Sequence, residues 1–222
     1  MKTHFFKLFV ITLMISSTSC KKETQFTDFK YADKPETIAC GDMDAKLLKE
    51  ALYSFEDDIV NHYDSINKNL SRSYSRLIND ASSRRLKFQD VVSPHSLKVF
   101  EALKNNQNLW NQGNATSNLN YNSKVIKCIA NNISDQRLKS IFNSLLSTNS
   151  LTPFLFGEPI KSNSGQLLRD KYLATYVALE FYYAKLFDVD LTNVTLEKPK
   201  PKVDFNKKPV EPQTVPQTGD NK

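Results

Sequence analysis

The feature that most constrains the fold is a run of apolar residues at helical spacing in the first third of the chain. Six of them recur at intervals of four, three, four, four and three residues: Leu48, Leu52, Phe55, Ile59, Tyr63 and Ile66. This spacing places them on one face of an amphipathic helix, which is expected to be the buried face. No proline occurs between Pro35 and Pro94, so the helical pattern can continue through residues 70–78, with a break near residues 65–69.

Residues that favour helix starts mark further helices along the chain. Ser93-Pro94 combines an N-cap residue with a proline suited to the first helical turn. Ser134 and then residues 163–164 precede two more apolar patterns at helical spacing. The stretch 105–122 is rich in asparagine and glutamine and is expected to form a loop.

Glycine usage points away from β architectures. The 222 residues include only five glycines, which is few for a sandwich or barrel with many tight turns. Pro153, Gly157 and Pro159 are expected to interrupt the helical pattern, with residues 154–156 filling an apolar gap. We therefore predict an all-α fold, a helical bundle of about five or six helices over residues 41–190.

The first twenty residues have the order of a targeting signal. Lys2 and Lys7 give a positive start, residues 5–15 form an apolar run too short to span a bilayer, and small residues lead into Cys20. This order resembles a bacterial lipoprotein signal of the Bacteroidota type. The resemblance implies a signal peptide at residues 1–19, acylation such as palmitoylation at Cys20, and an outer-membrane anchor facing the periplasm or the cell surface. A secretory signal cut elsewhere, or an amphipathic helix of a cytosolic protein, is the alternative.

Polar segments flank the predicted domain. Residues 20–40 show no sustained apolar period and are expected to be a tether from the membrane. Five of the nine prolines fall after residue 192, so we predict a disordered Pro/Lys-rich tail over residues 191–222. This tail is either an inert solubilising end or a flexible arm for an anionic polymer or a partner.

Two cysteines, Cys40 and Cys128, remain beside the predicted lipidation site at Cys20. An even pair in an exported chain is most simply a disulfide. Two independent buried thiols are the alternative. The disulfide would join the start of the folded region to a helix in its middle.

Motifs of the common enzyme classes do not occur in the sequence, which has no nucleophile elbow, zinc-protease motif, phosphate loop, dinucleotide fingerprint or Cys-x-x-Cys pair. We therefore predict a protein that is not an enzyme and that holds no cofactor and no metal ion. Asp58 and His62, four residues apart, are the one local pair that could share a metal ion. An enzyme that uses the carboxylates of residues 56–58 remains a third alternative.

Charge is segregated along the first predicted helices. Residues 50–64 carry five acids and no lysine or arginine, whereas residues 68–87 carry six basic residues and one acid. Lys68, Arg72 and Arg76 are spaced by four and would form a basic stripe on a helix. Either the acidic and basic helices pair with each other, or the stripe is exposed and binds an anionic ligand such as a polysaccharide or lipid headgroups.

Aromatic residues concentrate in the last predicted helix. Tyr172, Tyr176 and Tyr183 on its buried side could line a pocket for an apolar or sugar-like ligand, since each tyrosine offers a ring and a hydroxyl group. The alternative is a central helix surrounded by the others. Trp110, next to the polar loop, is either an exposed recognition residue or a lid on the core.

Together these features favour a membrane-anchored lipoprotein that acts as a non-enzymatic binding or interaction module of the cell envelope. The predicted partners are the lipid bilayer, through acylated Cys20, and an envelope protein or anionic glycan. Nucleic acid is excluded by the predicted compartment, and a formal charge of only +6 fits that exclusion. A carrier of a small apolar or sugar-like ligand, held in the aromatic pocket, is the alternative function.

Overall fold

The computed structural model of the chain describes residues 26–40, 43–192 and 194. The predicted signal peptide, Cys20 and nearly all of the predicted tail lie outside these residues. Seven α-helices occur in the described part: α1 (Ala45–Tyr63), α2 (Leu70–Ser82), α3 (Pro94–Lys104), α4 (Lys124–Asn132), α5 (Gln136–Ser147), α6 (Pro153–Lys161) and α7 (Lys171–Phe181). The all-α prediction is confirmed, with one or two helices more than the sequence indicated.

Short 3₁₀ segments complete the helical architecture at Phe88–Asp90, Ser164–Leu168 and Tyr183–Asp188. The described residues contain no strand, and Trp110 and Leu119 form an isolated antiparallel bridge. Among the described helices, none is both long and apolar enough to cross a bilayer.

Helices α1 and α7 form the centre of the bundle. Helix α1 packs against α2, α3 and α7, and α7 also contacts α2 and α4. Every residue from 173 to 181 on α7 is buried, as expected for a helix that other elements surround on all sides.

The first apolar pattern ends earlier than its spacing suggests. Helix α1 stops at Tyr63, and the Asn69 side chain caps α2 by accepting a hydrogen bond from the Arg72 N–H at 3.0 Å. The predicted break near residues 65–69 is therefore confirmed. Ile66, expected on the buried face, is 89% exposed, because it lies in the turn between the two helices, where the helical period no longer applies.

The start of α3 follows the sequence prediction. The Ser93 hydroxyl oxygen accepts a hydrogen bond from the Ser96 N–H at 3.1 Å, and Pro94 occupies the first turn. Helix α5 starts one residue later than predicted, because Asp135 provides its cap. The N–H of Ser134, the expected cap, instead donates to the Asp170 carboxylate at 2.6 Å.

Pro153, Gly157 and Pro159, expected to interrupt the helical pattern, lie inside helix α6 instead. Pro153 is at the first turn, where a missing N–H costs nothing. Gly157 lies where α6 closely approaches α2, since a Cβ atom there would be 3.2 Å from the Ser82 Oγ. Of the residues expected to fill an apolar gap, only Phe156 is buried, and Phe154 is 75% exposed.

The last predicted helix is divided into three pieces. A 3₁₀ segment ends at Leu168, which is 43% exposed. Asp170 then caps α7 by accepting a hydrogen bond from the Leu173 N–H at 3.0 Å. The backbone leaves the α-conformation at Tyr182 (φ −128°, ψ −74°) and continues as 3₁₀ helix.

The described part of the predicted tether, residues 26–40, packs against α1. The Glu50 side chain is fully buried and accepts hydrogen bonds from the backbone N–H groups of Lys30 and Tyr31, at 2.7 and 3.0 Å. The buried ammonium group of Lys49 donates to a carbonyl oxygen of the same segment at 2.9 Å. Residues 26–40 therefore belong to the folded domain, because buried charged side chains of α1 form hydrogen bonds with their backbone N–H and carbonyl groups.

Cys40 and Cys128 form a disulfide with a Cα–Cα distance of 5.7 Å. The bond joins the end of the N-terminal segment to α4, as the sequence predicts. Cys40 is buried in the core and Cys128 is partly exposed.

Candidate functional site

The three residues of the predicted basic stripe lie on the surface around the start of α2. Arg72 and Arg76 are exposed on the helix, and Lys68 lies in the turn before it with a positive φ of 54°. Lys68 donates to the Asn61 side chain at 2.5 Å, and Arg76 donates to the Tyr63 carbonyl oxygen at 3.2 Å. These contacts hold the two side chains near the α1–α2 turn and leave their charges accessible.

The acids of α1 are engaged elsewhere. Glu50 holds the N-terminal segment, and Glu56 accepts hydrogen bonds from the Tyr74 hydroxyl at 2.9 Å and the Lys171 ammonium group at 3.2 Å. In the described part of the chain, no carboxylate lies within 4.0 Å of the stripe's cationic groups. No direct ion pair among the described residues therefore joins the acids of α1 to this stripe, and any pairing of the two charged helices acts at longer range.

The charge of the stripe affects the pKa of Asp64, at the end of α1. Burial acts to raise the pKa of its carboxyl group, but hydrogen bonds from Asn67 and the positive charge of Arg72 outweigh that effect and leave the pKa below its usual value. The field of Arg72 thus reaches the end of α1 without a direct ion pair.

The predicted aromatic pocket is part of the packed core. Tyr176 is fully buried with its ring 4.9 Å from that of Phe142. Tyr183 is fully buried, and its hydroxyl donates to the Ala51 carbonyl oxygen at 3.0 Å. Tyr172 is half-buried at the edge of the core. The rings are enclosed because α7 lies in the centre of the bundle, the alternative that the sequence left open.

Trp110 also belongs to the core. Its indole N–H donates to the Leu103 carbonyl oxygen at 2.8 Å, and its ring packs 5.1 Å from that of Phe187. It covers the core and is not an exposed recognition residue.

Asp58 and His62 do share a cleft, of about 410 Å³, which Asp90 also lines. However, the Asp58 carboxylate accepts hydrogen bonds from the Ser93 N–H at 2.9 Å and from the Tyr182 hydroxyl. Burial raises the pKa of Asp58, although these hydrogen bonds act against the rise. No group of three or more metal-ligating side chains occurs within residues 26–40, 43–192 and 194. Asp58 therefore serves mainly to join α1 to the elements around it.

Sequence reasoning missed a buried polar cluster on α7. Glu180 is fully buried and accepts a hydrogen bond from the Ser117 hydroxyl at 2.8 Å. The Lys185 ammonium group lies 3.8 Å from the other carboxylate oxygen. Burial raises the pKa of Glu180 to about 7, although Lys185 and Ser117 act in the opposite direction. The signal was present in the sequence, since Glu180 is the only acid in the otherwise apolar stretch 172–184.

The asparagine-rich loop between α3 and α4 borders two clefts on either side of residues 120–122. One has a volume of about 260 Å³ and includes Cys40 and Asn106 in its lining. The other, of about 170 Å³, is lined by Ser117 and Tyr121 and lies in front of Glu180. The sequence predicted this loop but not the clefts that it forms.

No known protein family, no curated protein and no solved structure matches the chain. Function is therefore inferred from the exposed charges and the clefts of the domain. The exposed basic stripe at Lys68, Arg72 and Arg76 and the asparagine-lined cleft in front of Glu180 are the two features with the chemistry of binding sites.

Proposed function

We propose that the protein is a lipid-anchored, non-enzymatic binding module of the bacterial cell envelope, and that Arg72 and Arg76 bind an anionic component of that envelope. The observation that carries this proposal is the exposure of both guanidinium groups with no carboxylate at ion-pair distance among the described residues. The lipoprotein-like signal ending at Cys20 supports the compartment.

Guanidinium groups suit this role because their planar fork of N–H donors fits carboxylate, phosphate and sulfate groups in a bidentate way. Arg72 and Arg76 are one helical turn apart, which corresponds to a rise of about 6 Å along α2. Two acidic groups at a similar separation, on a glycan or on a protein segment, would bind both. Since the arginines are exposed, the binding should weaken as salt is added.

Two exposed arginines can be reversed in charge with little effect on folding. Surface substitutions away from caps and buried contacts usually change stability by less than about 0.5 kcal/mol. Arg72→Glu with Arg76→Glu should therefore abolish binding to the partner and preserve the helical circular dichroism spectrum, with only a small fall in the unfolding temperature because the Arg76–Tyr63 hydrogen bond is lost. A matched control is Lys127→Glu with Arg137→Glu, which reverses two exposed charges on α4 and α5.

The experiment is an affinity pull-down from membranes with the full-length lipoprotein, the stripe variant and the control variant. We expect a partner protein or an acidic glycan to be recovered with the wild type and the control, and not with the stripe variant. Equal recovery with all three would refute the role of the stripe. The anchor is tested separately by mass spectrometry, which should detect an acylated N-terminal peptide that Cys20→Ala loses.

A further inference from the structure

A cleft without charged side chains opens between the α3–α4 loop and the connection from α5 to α6. Its lining includes three leucines but is dominated by five asparagines. These are Asn111, Asn114, Asn120, Asn122 and Asn149. Its volume of about 170 Å³ is below the roughly 300 Å³ at which pockets for drug-sized ligands begin. A ligand that fits it is therefore the size of one small ring.

The asparagine side chains keep hydrogen-bonding capacity for a ligand. Those of Asn111, Asn122 and Asn149 make no hydrogen bond to another described residue and are exposed. Each amide offers both donors and an acceptor. Uncharged groups of both kinds, side by side, match hydroxyl groups, which donate and accept as well.

The loop that presents these amides is held in place before any ligand binds. The Asn111 N–H donates to the Asn118 carbonyl oxygen at 2.7 Å, and the Asn120 N–H donates to that of Leu109 at 2.9 Å. The Asn118 side chain donates to the Ala184 carbonyl oxygen at 3.1 Å. These bonds fix the loop to itself and to the end of the core, so little conformational entropy is lost on binding.

Unusual polar groups lie behind the cleft. Ser117 lines it and donates to the fully buried Glu180 at 2.8 Å. The other Glu180 oxygen lies near Lys185 and the Tyr121 hydroxyl group, but neither that oxygen nor the buried hydroxyl groups of Tyr121 and Tyr176 form a hydrogen bond of good geometry. Each such group costs about 1–3 kcal/mol when buried, and native cores contain few of them. This cluster of imperfectly paired polar groups lies directly behind the cleft and makes its floor polar.

We propose that this cleft binds one ring of a neutral sugar. The asparagine amides would pair with the sugar hydroxyl groups, and the Tyr121 ring and the leucines would cover the apolar C–H face. A charged ligand fits poorly, because no charged side chain lines the cleft and a desolvated charge needs a partner. Glu180 lies behind the cleft and holds the Ser117 hydroxyl group in its wall. The site is distinct from the basic stripe.

The test uses the full-length lipoprotein in a detergent without a sugar headgroup. Saturation-transfer NMR with glucose, galactose, mannose and N-acetylglucosamine measures binding, with inorganic phosphate as a charged competitor. The variant is Asn111→Ala with Asn122→Ala, which removes two exposed amides of the cleft. The matched control is Asn105→Ala with Asn131→Ala, which removes two exposed amides that do not line it.

We expect at least one of the four sugars to bind saturably, and the cleft variant to lose about tenfold in affinity, which corresponds to one or two hydrogen bonds. The control variant should bind like the wild type, and phosphate should not compete. The proposal is overturned if none of the four sugars binds saturably, if the cleft variant binds as well as the control, or if phosphate displaces the sugar. Thermal unfolding shows whether each variant is folded. If the double cleft variant does not fold, the single Asn122→Ala variant takes its place.

Discussion

Replacing Cys40 and Cys128 by alanine is expected to destabilise the domain through the unfolded state. The disulfide closes a loop whose ends are 88 residues apart. Loop-closure entropy for that length corresponds to about 4–5 kcal/mol of stability at 25 °C. For a domain of this size, each kcal/mol lowers the midpoint of thermal unfolding by about 2–4 °C. The double variant should therefore unfold roughly 10–20 °C below the wild type.

Urea denaturation under non-reducing conditions gives the free energy of unfolding of both proteins. The wild type with reductant should approach the double variant, and Cys20→Ala, which leaves the disulfide intact, should match the wild type. A loss below about 1 kcal/mol would refute the reasoning, because it would mean that the unfolded chain keeps the two ends close without the bond.

Two further predictions concern buried carboxyl groups. Burial raises the pKa of Glu180 from 4.5 to about 7, so the folded state binds more protons than the unfolded state between these values. The free energy of unfolding should therefore fall by about 3 kcal/mol as the pH rises from about 4 to 8. Glu180→Gln should remove this part of the slope in urea titrations across that range, and an unchanged slope would assign it to another group. Glu50→Ala removes the acceptor of two backbone N–H groups of the N-terminal segment. It should cost about 2–4 kcal/mol and speed proteolysis within residues 26–40, whereas Glu101→Ala, in an exposed ion pair, should leave the cleavage rate unchanged.

Local patterns predicted the elements of the fold well, because capping and apolar spacing act over a few residues. Ser93-Pro94 starts α3 as its chemistry requires, and the break before Asn69 falls where the sequence places it. The same patterns did not predict helices whose formation depends on tertiary contacts. Residues 153–161 form a helix although Pro159 lies inside it, and Gly157 permits this helix to pack closely on α2.

The candidate sites were less accessible from the sequence. Helical spacing predicted the stripe at Arg72 and Arg76, but it could not show which partners the acids of α1 have, since these partners lie far along the chain. Glu56, for example, meets Lys171, 115 residues later. The cleft in front of Glu180 depends on a contact between Ser117 and α7, which are 63 residues apart. The spacing of apolar residues along the sequence cannot predict contacts between residues so far apart in the chain.

The hydrogen bonds that hold the N-terminal segment on α1 also set how far the domain could lie from a lipid attached at Cys20. Described packing starts at Phe26, which contacts the core and is six residues from Cys20. Six residues span at most about 20 Å even when fully extended. If Cys20 carries the lipid, the domain stays within about one domain diameter of the bilayer surface. A lipid on Cys20 would therefore require the partners of the domain to bind close to the membrane surface.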